Sequence, residues 1–506
     1  MNSRLLRVLV FCSGLSLMLI QIVSSRVLAP HLGTSIYAWT NIIATTLLGI
    51  LVGNYIGGQI SKQYSNKKVL GITFIAAGSV TLLSIFLVTV INDMLGVVSM
   101  HLAIKTALYT FSIFFPAATC LAAILPQVFR LDLRDLKKTG SSFGSLYAWS
   151  SIGNVSGLVL GGFFLIPLIG TKQILTAISA LLILIGLYLG RGHALWKNRI
   201  ALLIALFFIG GFVLPSYCQD ETNYYCIRVL ESTDGDESPV FTLKLDHLVH
   251  SYVDPMNAAA LGYGYEEIYA KLIELNFGET GEFYAFFVGG GGYVLQRYID
   301  AFYPEAHVTV AEIDPGVTEV NYLRMDLPRD TSIETVNEDA RRFLQKTDKT
   351  FNMVFGDAFN DFSIPYHLTT VEFHKLLKSR MSEDGVYALN VIDDEKHGAL
   401  LASLIRTLRE VWTHVYVSPQ ADRFVEGRNT YVLIATDKAI ESTPWASAVS
   451  YSDGAALTLE SSENGLYTLL GDEVVEAFLA EHKEPVLRDT FVPVDRYLAP
   501  VFRDAY

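Results

Sequence analysis

The sequence predicts two joined parts, a polytopic α-helical membrane domain and, behind it, an α/β Rossmann-like domain that opens with a small β-rich segment. Three observations carry this reading. Apolar runs of bilayer-crossing length recur through residues 5–217. Residues 1–219 hold 15 Lys and Arg against three acids (Asp93, Asp132 and Asp135), a net +12, whereas the remainder holds 23 basic and 48 acidic residues, a net −25. Third, residues 286–314, FFVGGGGYVLQRYIDAFYPEAHVTVAEID, run an apolar strand into four consecutive glycines and close a second strand on an acid. The expected domains are therefore 1–217 in the membrane and 218–506 beyond it, with 218–260 β-rich and 261–506 Rossmann-like.

Taken in order, the apolar runs lie near 5–29, 36–60, 69–91, 103–129, 144–169, 172–190 and 199–217, seven in all. A helix needs about twenty such residues to cross the hydrocarbon layer. Arg4 and Arg7 precede the first run as they would in a secretory signal, but six more spans follow without a small-residue cleavage site, so it is read as a retained helix. The fourth is the loosest. Its apolar stretch from Leu95 to Leu131 contains His101, Lys105 and Pro116, and it begins either as a span or as a re-entrant or interfacial segment.

Basic clusters at Arg4 and Arg7, at Lys62, Lys67 and Lys68, at Arg130, Arg134, Lys137 and Lys138, and at Arg191, Lys197 and Arg199 fall at alternate ends of a seven-helix count. The positive-inside rule then places the N-terminus of a multi-pass cell (inner) membrane protein in the cytoplasm and the acidic domain outside. Small residues recur at packing spacing in GILVGNYIGG (49–58) and GNVSGLVLGG (153–162), which reads as helix packing. The alternative is a transport pathway, but the only intramembrane ionisable candidates are Arg26 and Lys105, both near helix ends. Cys218 and Cys226 bracket the exit from the last span. They form either a disulfide, which would fit an oxidising compartment, or an accidental pair.

The second domain alternates strands with helices, which implies a mostly parallel sheet. YYCIRVLES and PVFTLKLDHLVHSYV supply the β-rich start, followed by a helix at 265–277 and a strand at 283–288. Helix 293–303, strand 307–312, helix 315–325, the stretch 332–344, strand 351–357, helix 370–381 and strand 385–392 follow. Gly289, Gly290 and Gly291 let the backbone turn sharply and approach a ligand without a Cβ in the way. Glu312 falls about twenty residues on, at a strand end where a carboxylate can accept hydrogen bonds from both ribose hydroxyls. A mere tight turn is the plainer alternative. Asp339 and Asp357 also lie just past strand ends, on the edge where open α/β sheets bind ligands. The acidic charge argues against nucleic acid, which needs a basic face.

In this order and spacing, LDHLVHSYVDP, GYEEIY, VGGGGYV, AEIDP, NEDARRFL and GDAFNDFSIPYHLT resemble the spermidine synthase (polyamine aminopropyltransferase) family, whose domain is of the class I methyltransferase type. The front half, with SGLSLMLIQIVSSRVLAPHLGTSIYAWT and GSLYAWSSIGNVSGLVLGGFFLIPLIG, resembles the multi-helix membrane domain fused to some bacterial members.

The resemblance implies that Glu312 holds the ribose, that Asp339 and Ala340 contact the adenine and that Pro365 packs near it. It makes Asp357 the catalytic acid group that takes a proton from the attacking amine. Asp361 would hold the distal ammonium, and His250 and Tyr265 would contact cosubstrate and amine. For Asp357 the alternative is a strand-end carboxylate that caps the following turn.

No metal and no permanently bound cofactor is expected. The implied cosubstrate is decarboxylated S-adenosylmethionine, with S-adenosylmethionine as the alternative, and the acceptor is putrescine or another polyamine. Expected partners are that small polyamine and the lipid bilayer, with a homodimer as an alternative to a monomer.

There are departures from the family pattern. Gly292 stands where the family usually has an Asp, His250 stands where Gln is usual, and DAFND carries one residue inserted before its second Asp. Two other functions stay open: methyl transfer from S-adenosylmethionine, and a transporter or sensor that binds polyamine or nucleoside without turnover. Because adenosyl cosubstrates are normally made in the cytoplasm, the outward placement and the implied chemistry pull against each other.

Overall fold

A computed structural model describes residues 2–33, 35–95, 100–133, 139–190, 217–233, 239–278, 281–358, 364–394, 396–420, 428–440, 447–450, 457–460 and 469–501. The chain divides into two compact units, one built on Met1–Cys226 and the other on Ile227–Ala505.

Among the described residues the first unit has six helices long and apolar enough to cross a membrane. They are α1 (Ser3–Leu32), α2 (Ile36–Gln63), α3 (Lys67–Leu95), α4 (Leu102–Ala122) running on into α5 (Ile124–Asp132), α6 (Thr139–Leu160) running on through one π turn into α7 (Ile166–Ile169), and α8 (Thr171–Leu189). The expected seventh span, 199–217, lies outside the described residues apart from Tyr217. The starts follow from capping, in which a side-chain acceptor takes an amide of the first turn. Asn2 accepts from Arg4 N at 3.1 Å, and Ser35 accepts from Ala38 N at 3.3 Å. His101, which left the fourth span in doubt, caps α4 through Ala103 N at 3.2 Å.

Between helices in a bilayer there is little hydrophobic drive, so close backbone approach decides packing. The glycine-rich motifs supply it. A Cβ on Gly53 would lie 2.3 Å from Thr119 O of α4, and one on Gly153 would lie 2.2 Å from Phe11 O of α1. Both motifs therefore form helix-packing faces, α2 on α4 and α6 on α1. Beyond the helices, Cys218 and Cys226 are joined in a disulfide. The same turn is tied down at two further points. Arg26 donates to the carbonyls of Thr222, at 2.6 Å, and Tyr224, and Glu221 accepts from Thr171 N and Oγ1 at 2.8 and 2.9 Å.

After the short strand β1 (Asp220–Glu221), the second unit begins with an antiparallel meander, β2 (Cys226–Thr233), β3 (Pro239–Leu245) and β4 (Leu248–Val253). Its α/β part runs α9 (Gly264–Phe277), β5 (Tyr284–Val288), α10 (Val294–Phe302), β6 (His307–Ala311), α11 (Pro315–Arg324), β7 (Glu334–Val336), α12 (Ala340–Lys346) and β8 (Phe351–Gly356). Then come α13 (Val371–Lys378), β9 (Met381–Asp393), α14 (Ala399–Arg409), β10 (His414–Pro419) and β11 (Asn429–Thr436).

The sheet order is β10-β11-β9-β8-β5-β6-β7. Strands β5 to β9 pair in parallel, as expected, while β11 and β10 return antiparallel on the β9 edge. From β5 the chain first adds strands on one side and then crosses to β8 on the other, so β5 and β8 flank the topological switch point. Ligand crevices of open α/β sheets form there, outside the strands' carboxyl ends. Because helices cover both faces, the parallel strands are nearly all apolar, with Ala285, Phe287, Val310, Met353 and Phe355 in the core.

Candidate active site

At the end of β5 the chain turns through Gly289 (φ +101°) and Gly291 (φ +51°), a region that L side chains seldom adopt. The turn is held from several sides. Gly289 N donates to Ala311 O at 3.0 Å, Gly290 N to a Glu312 carboxylate oxygen at 2.8 Å, and Asn321 Nδ2 to Gly291 O at 2.8 Å. A Cβ on Gly289 would come 2.7 Å from Asp357 O, so the turn and the end of β8 touch. Tyr293 closes the turn at φ +56°, with its buried hydroxyl between Thr318 and Thr335 at 3.2 and 3.1 Å.

Glu312 sits past β6 as expected. Its other oxygen accepts from Asp314 N at 2.9 Å. Burial pushes its carboxyl above the ordinary range, and those backbone donors partly offset the shift. Each oxygen keeps a second lone pair for a hydroxyl donor.

Asp339 caps α12, accepting from Arg342 N at 3.0 Å, and its other oxygen meets His367 Nε2 at 2.7 Å. Burial acts upward on this carboxyl, but the His367 and Arg342 hydrogen bonds prevail and hold it below its usual value. His367 thus draws the turn Tyr366–Leu368, which starts after Pro365, against Asp339 and the buried Ala340. Arg341 adds a bidentate pair to Asp489 at 2.8 and 2.6 Å, anchoring the C-terminal segment beside this turn.

Asp357, just past β8, is held by two side chains rather than serving as a cap to a described amide. Tyr265 Oη donates to one oxygen at 2.7 Å and Asn390 Nδ2 to the other at 2.9 Å. Burial raises its carboxyl above the ordinary value, and the two donors oppose that rise. Burial, and then the charge of Asp357, pushes the Tyr265 phenol well above its usual range. Tyr263 stacks on Tyr265 with centroids 5.6 Å apart. Glu266 accepts from Tyr263 N at 2.9 Å, and burial pushes its carboxyl up to about 8.

His250 lies on β4. Its ring is enclosed although the residue as a whole is only half-buried, and that burial pushes the imidazole down to about 4. Gly292 N donates to Ser251 Oγ at 2.8 Å.

The structure therefore gathers Gly289, Gly290, Gly291, Glu312, Tyr265 and Asp357 around the β5–β8 switch point, and Asp339, Ala340 and Pro365 around a neighbouring turn. Asp361 lies outside the described residues. Among the described residues no group of His, Cys, Asp or Glu is placed to hold a metal ion. The sequence reading missed Asn390 and His367. Asn390 did leave a signal, a polar residue inside the apolar strand GVYALNVI.

Residues 285–437 match the family model of the Spermine/spermidine synthase domain, so the resemblance read from the motifs holds for the α/β part. The chain is 25% identical over 129 residues to a probable polyamine aminopropyl transferase of Bifidobacterium longum, covering 25% of this chain and 28% of that protein. It is 31% identical over 114 residues to a polyamine aminopropyltransferase of Vibrio vulnificus, covering 22% and 38%. The matched stretches thus span well under half of either relative. A probable spermidine synthase from Corynebacterium glutamicum, of known structure, is similar at 18% identity with a TM-score of 0.43, over 53% of this chain and 95% of that one.

Proposed function

We propose that the α/β unit is an aminopropyltransferase that moves an aminopropyl group from decarboxylated S-adenosylmethionine to putrescine or another polyamine, and that the helical unit holds it at a membrane. The observation that carries the proposal is the Asp357 carboxylate beside the glycine turn, fixed by Tyr265 and Asn390. The names of the two curated relatives and the family match point the same way.

An ammonium is not a nucleophile until a base removes its proton, whereas a sulfonium leaves without acid help. Asp357 is the base. Enclosure raises its proton affinity, and the two donors hold it in one orientation and oppose that rise. The amine nitrogen then attacks the carbon bonded to sulfur, the carbon–sulfur bond breaks, and methylthioadenosine departs. Gly289, Gly290 and Gly291 let the cosubstrate approach the backbone, Glu312 takes the ribose hydroxyls, Asp339 and Ala340 meet the adenine, and Pro365 packs against it. Tyr265, His250 and Asp361 complete the amine and cosubstrate contacts.

The test uses detergent-purified protein and its Asp357→Asn variant, each given putrescine or spermidine with decarboxylated S-adenosylmethionine, with products read by mass spectrometry. Methylthioadenosine plus a lengthened polyamine from the parent, and neither from the variant, is the expected result. A folded parent that yields neither product refutes the proposal.

A further inference from the structure

The helical unit contains a cavity of about 670 Å³, a size usual for small-molecule sites. It lies wholly within that unit, between α1, α3 and α8 and beside the turn that carries Cys218 and Glu221. Val27, Ile85, Val88 and Leu175 give it an apolar wall. Its polar groups gather at the end of the helices: Arg26 stands two turns from the end of α1, and Thr171 and Lys172 open α8. An apolar wall beneath a cationic rim suits an amphiphile with an anionic head.

The charges of the rim do not cancel one another. Glu221, the one acid among the described residues that line the cavity, is bound to the start of α8, where it accepts from Thr171 N at 2.8 Å and Thr171 Oγ1 at 2.9 Å. Arg26 donates to the carbonyls of Thr222 and Tyr224, which are neutral, and among the described residues no carboxylate lies within ion-pair distance of it. Two carbonyls take up two of its five N–H groups. The tie to this turn explains where Arg26 points, but not the apolar space beside it. A charge at the edge of a hydrocarbon layer is costly without a counter-ion. Basic pockets between membrane helices take anionic head groups, and a guanidinium matches two oxygens of a phosphate.

We propose that this cavity binds an anionic phospholipid, with its phosphate on Arg26 and the first carbons of an acyl chain along Val27, Ile85, Val88 and Leu175. This rests on the reading that the helical unit sits in a membrane. The cavity is too small for a whole phospholipid, so the chains run on into the bilayer. Through Arg26 the head group is then linked to the Thr222 and Tyr224 carbonyls, next to the Cys218–Cys226 bridge.

The experiment first washes native membranes with alkaline carbonate, which should leave the protein in the membrane. Full-length detergent-purified protein is then titrated with fluorescent phosphatidylglycerol and with fluorescent phosphatidylcholine. The anionic lipid should bind about tenfold more tightly, the worth of one charge-assisted hydrogen bond, and glycerol 3-phosphate should not displace it. Arg26→Gln should abolish the preference. Because Arg26 also ties the turn, Thr89→Trp serves as a second variant. Thr89 is an exposed residue of α3 on the cavity wall, so the indole fills the space, leaves the Arg26 hydrogen bonds in place and should weaken binding of the anionic lipid. Equal affinity for the two lipids overturns the proposal, as does displacement by glycerol 3-phosphate, which would make the ligand a soluble phosphate. So does tight anionic-lipid binding that survives Arg26→Gln or, should that variant not fold, Thr89→Trp. Protein released by carbonate removes the membrane reading itself, and this inference with it.

Discussion

Replacing Asn390 by Leu removes one of the two donors to Asp357 while keeping the side chain's approximate volume. The lost contact is a 2.9 Å amide-to-carboxylate hydrogen bond from a residue that is 5% exposed. A hydrogen bond to a charged group contributes about 1.5–3 kcal/mol. At about 1.4 kcal/mol per unit, its loss should raise the Asp357 pKa by about 1–2 units. The sign follows from the direction of each influence. Burial already raises this carboxyl and Asn390 opposes that rise, so removing Asn390 lets it climb further. A base works only when ionised, so the acidic limb of the kcat/KM–pH profile for aminopropyl transfer should move up by about 1–2 pH units, with activity recovering on the alkaline side. Steady-state assays of methylthioadenosine release from pH 5 to 10 would show it. An acidic limb that stays in place in the folded variant refutes the assignment of Asp357 as base. So does activity lost equally at every pH.

Three further predictions concern stability and compartment. His374 is fully buried among Phe373, Tyr387 and Trp412, burial pushes it down to about 3, and both ring nitrogens lack a hydrogen-bond partner. Its folded pKa lies below the unfolded value, so its stabilising contribution is complete above about pH 6.5 and is lost as pH falls toward 3. Between pH 7 and 5 that loss is about 2 kcal/mol, and His374→Phe should flatten the fall in thermal midpoint over that window. A wild-type midpoint as flat as the variant's would contradict it. Gly153→Val drives side-chain atoms onto the Phe11 carbonyl and should destabilise the helical unit by about 1–3 kcal/mol, read as a lower midpoint in detergent. Peptide mapping without reductant should recover Cys218 and Cys226 as one linked species. Two free thiols in protein freshly isolated under alkylation would count against both the bridge and an oxidising compartment.

The parts that were legible in the sequence are those fixed by local chemistry. The strand 283–288 appears as Tyr284–Val288, and the strand 307–312 as His307–Ala311, because an apolar run ended by glycine or by an acid cannot continue buried. The spacing from the glycines to Glu312 places the carboxylate beneath Gly290 N, since a single helix and strand set that distance. The count of spans was legible through α8, because hydropathy is summed along the chain. The break at Ala123 between α4 and α5 falls where Pro126, in the first turn of α5, has no amide to donate to the preceding turn, and the hydropathy of the span, which stays high across it, hides that break.

What stayed hidden depends on which strand lies beside which. Asn390 reaches Asp357 because β9 pairs in parallel with β8, and His367 reaches Asp339 across 28 positions of chain. Nothing in the chain around Asn390 or around His367 announces its partner. Gly292 shows the limit most sharply. The sequence could report only that a side chain is absent there, and absence alone fits a lost function as well as a changed one. The packing of Ser251 and Val253 onto that glycine makes the position structurally closed, so the difference is built into the meander preceding the sheet rather than confined to one substitution. Restoring an acid at 292 would therefore require changes in β4 as well, so what this position can carry is decided by two segments whose proximity only the fold reveals.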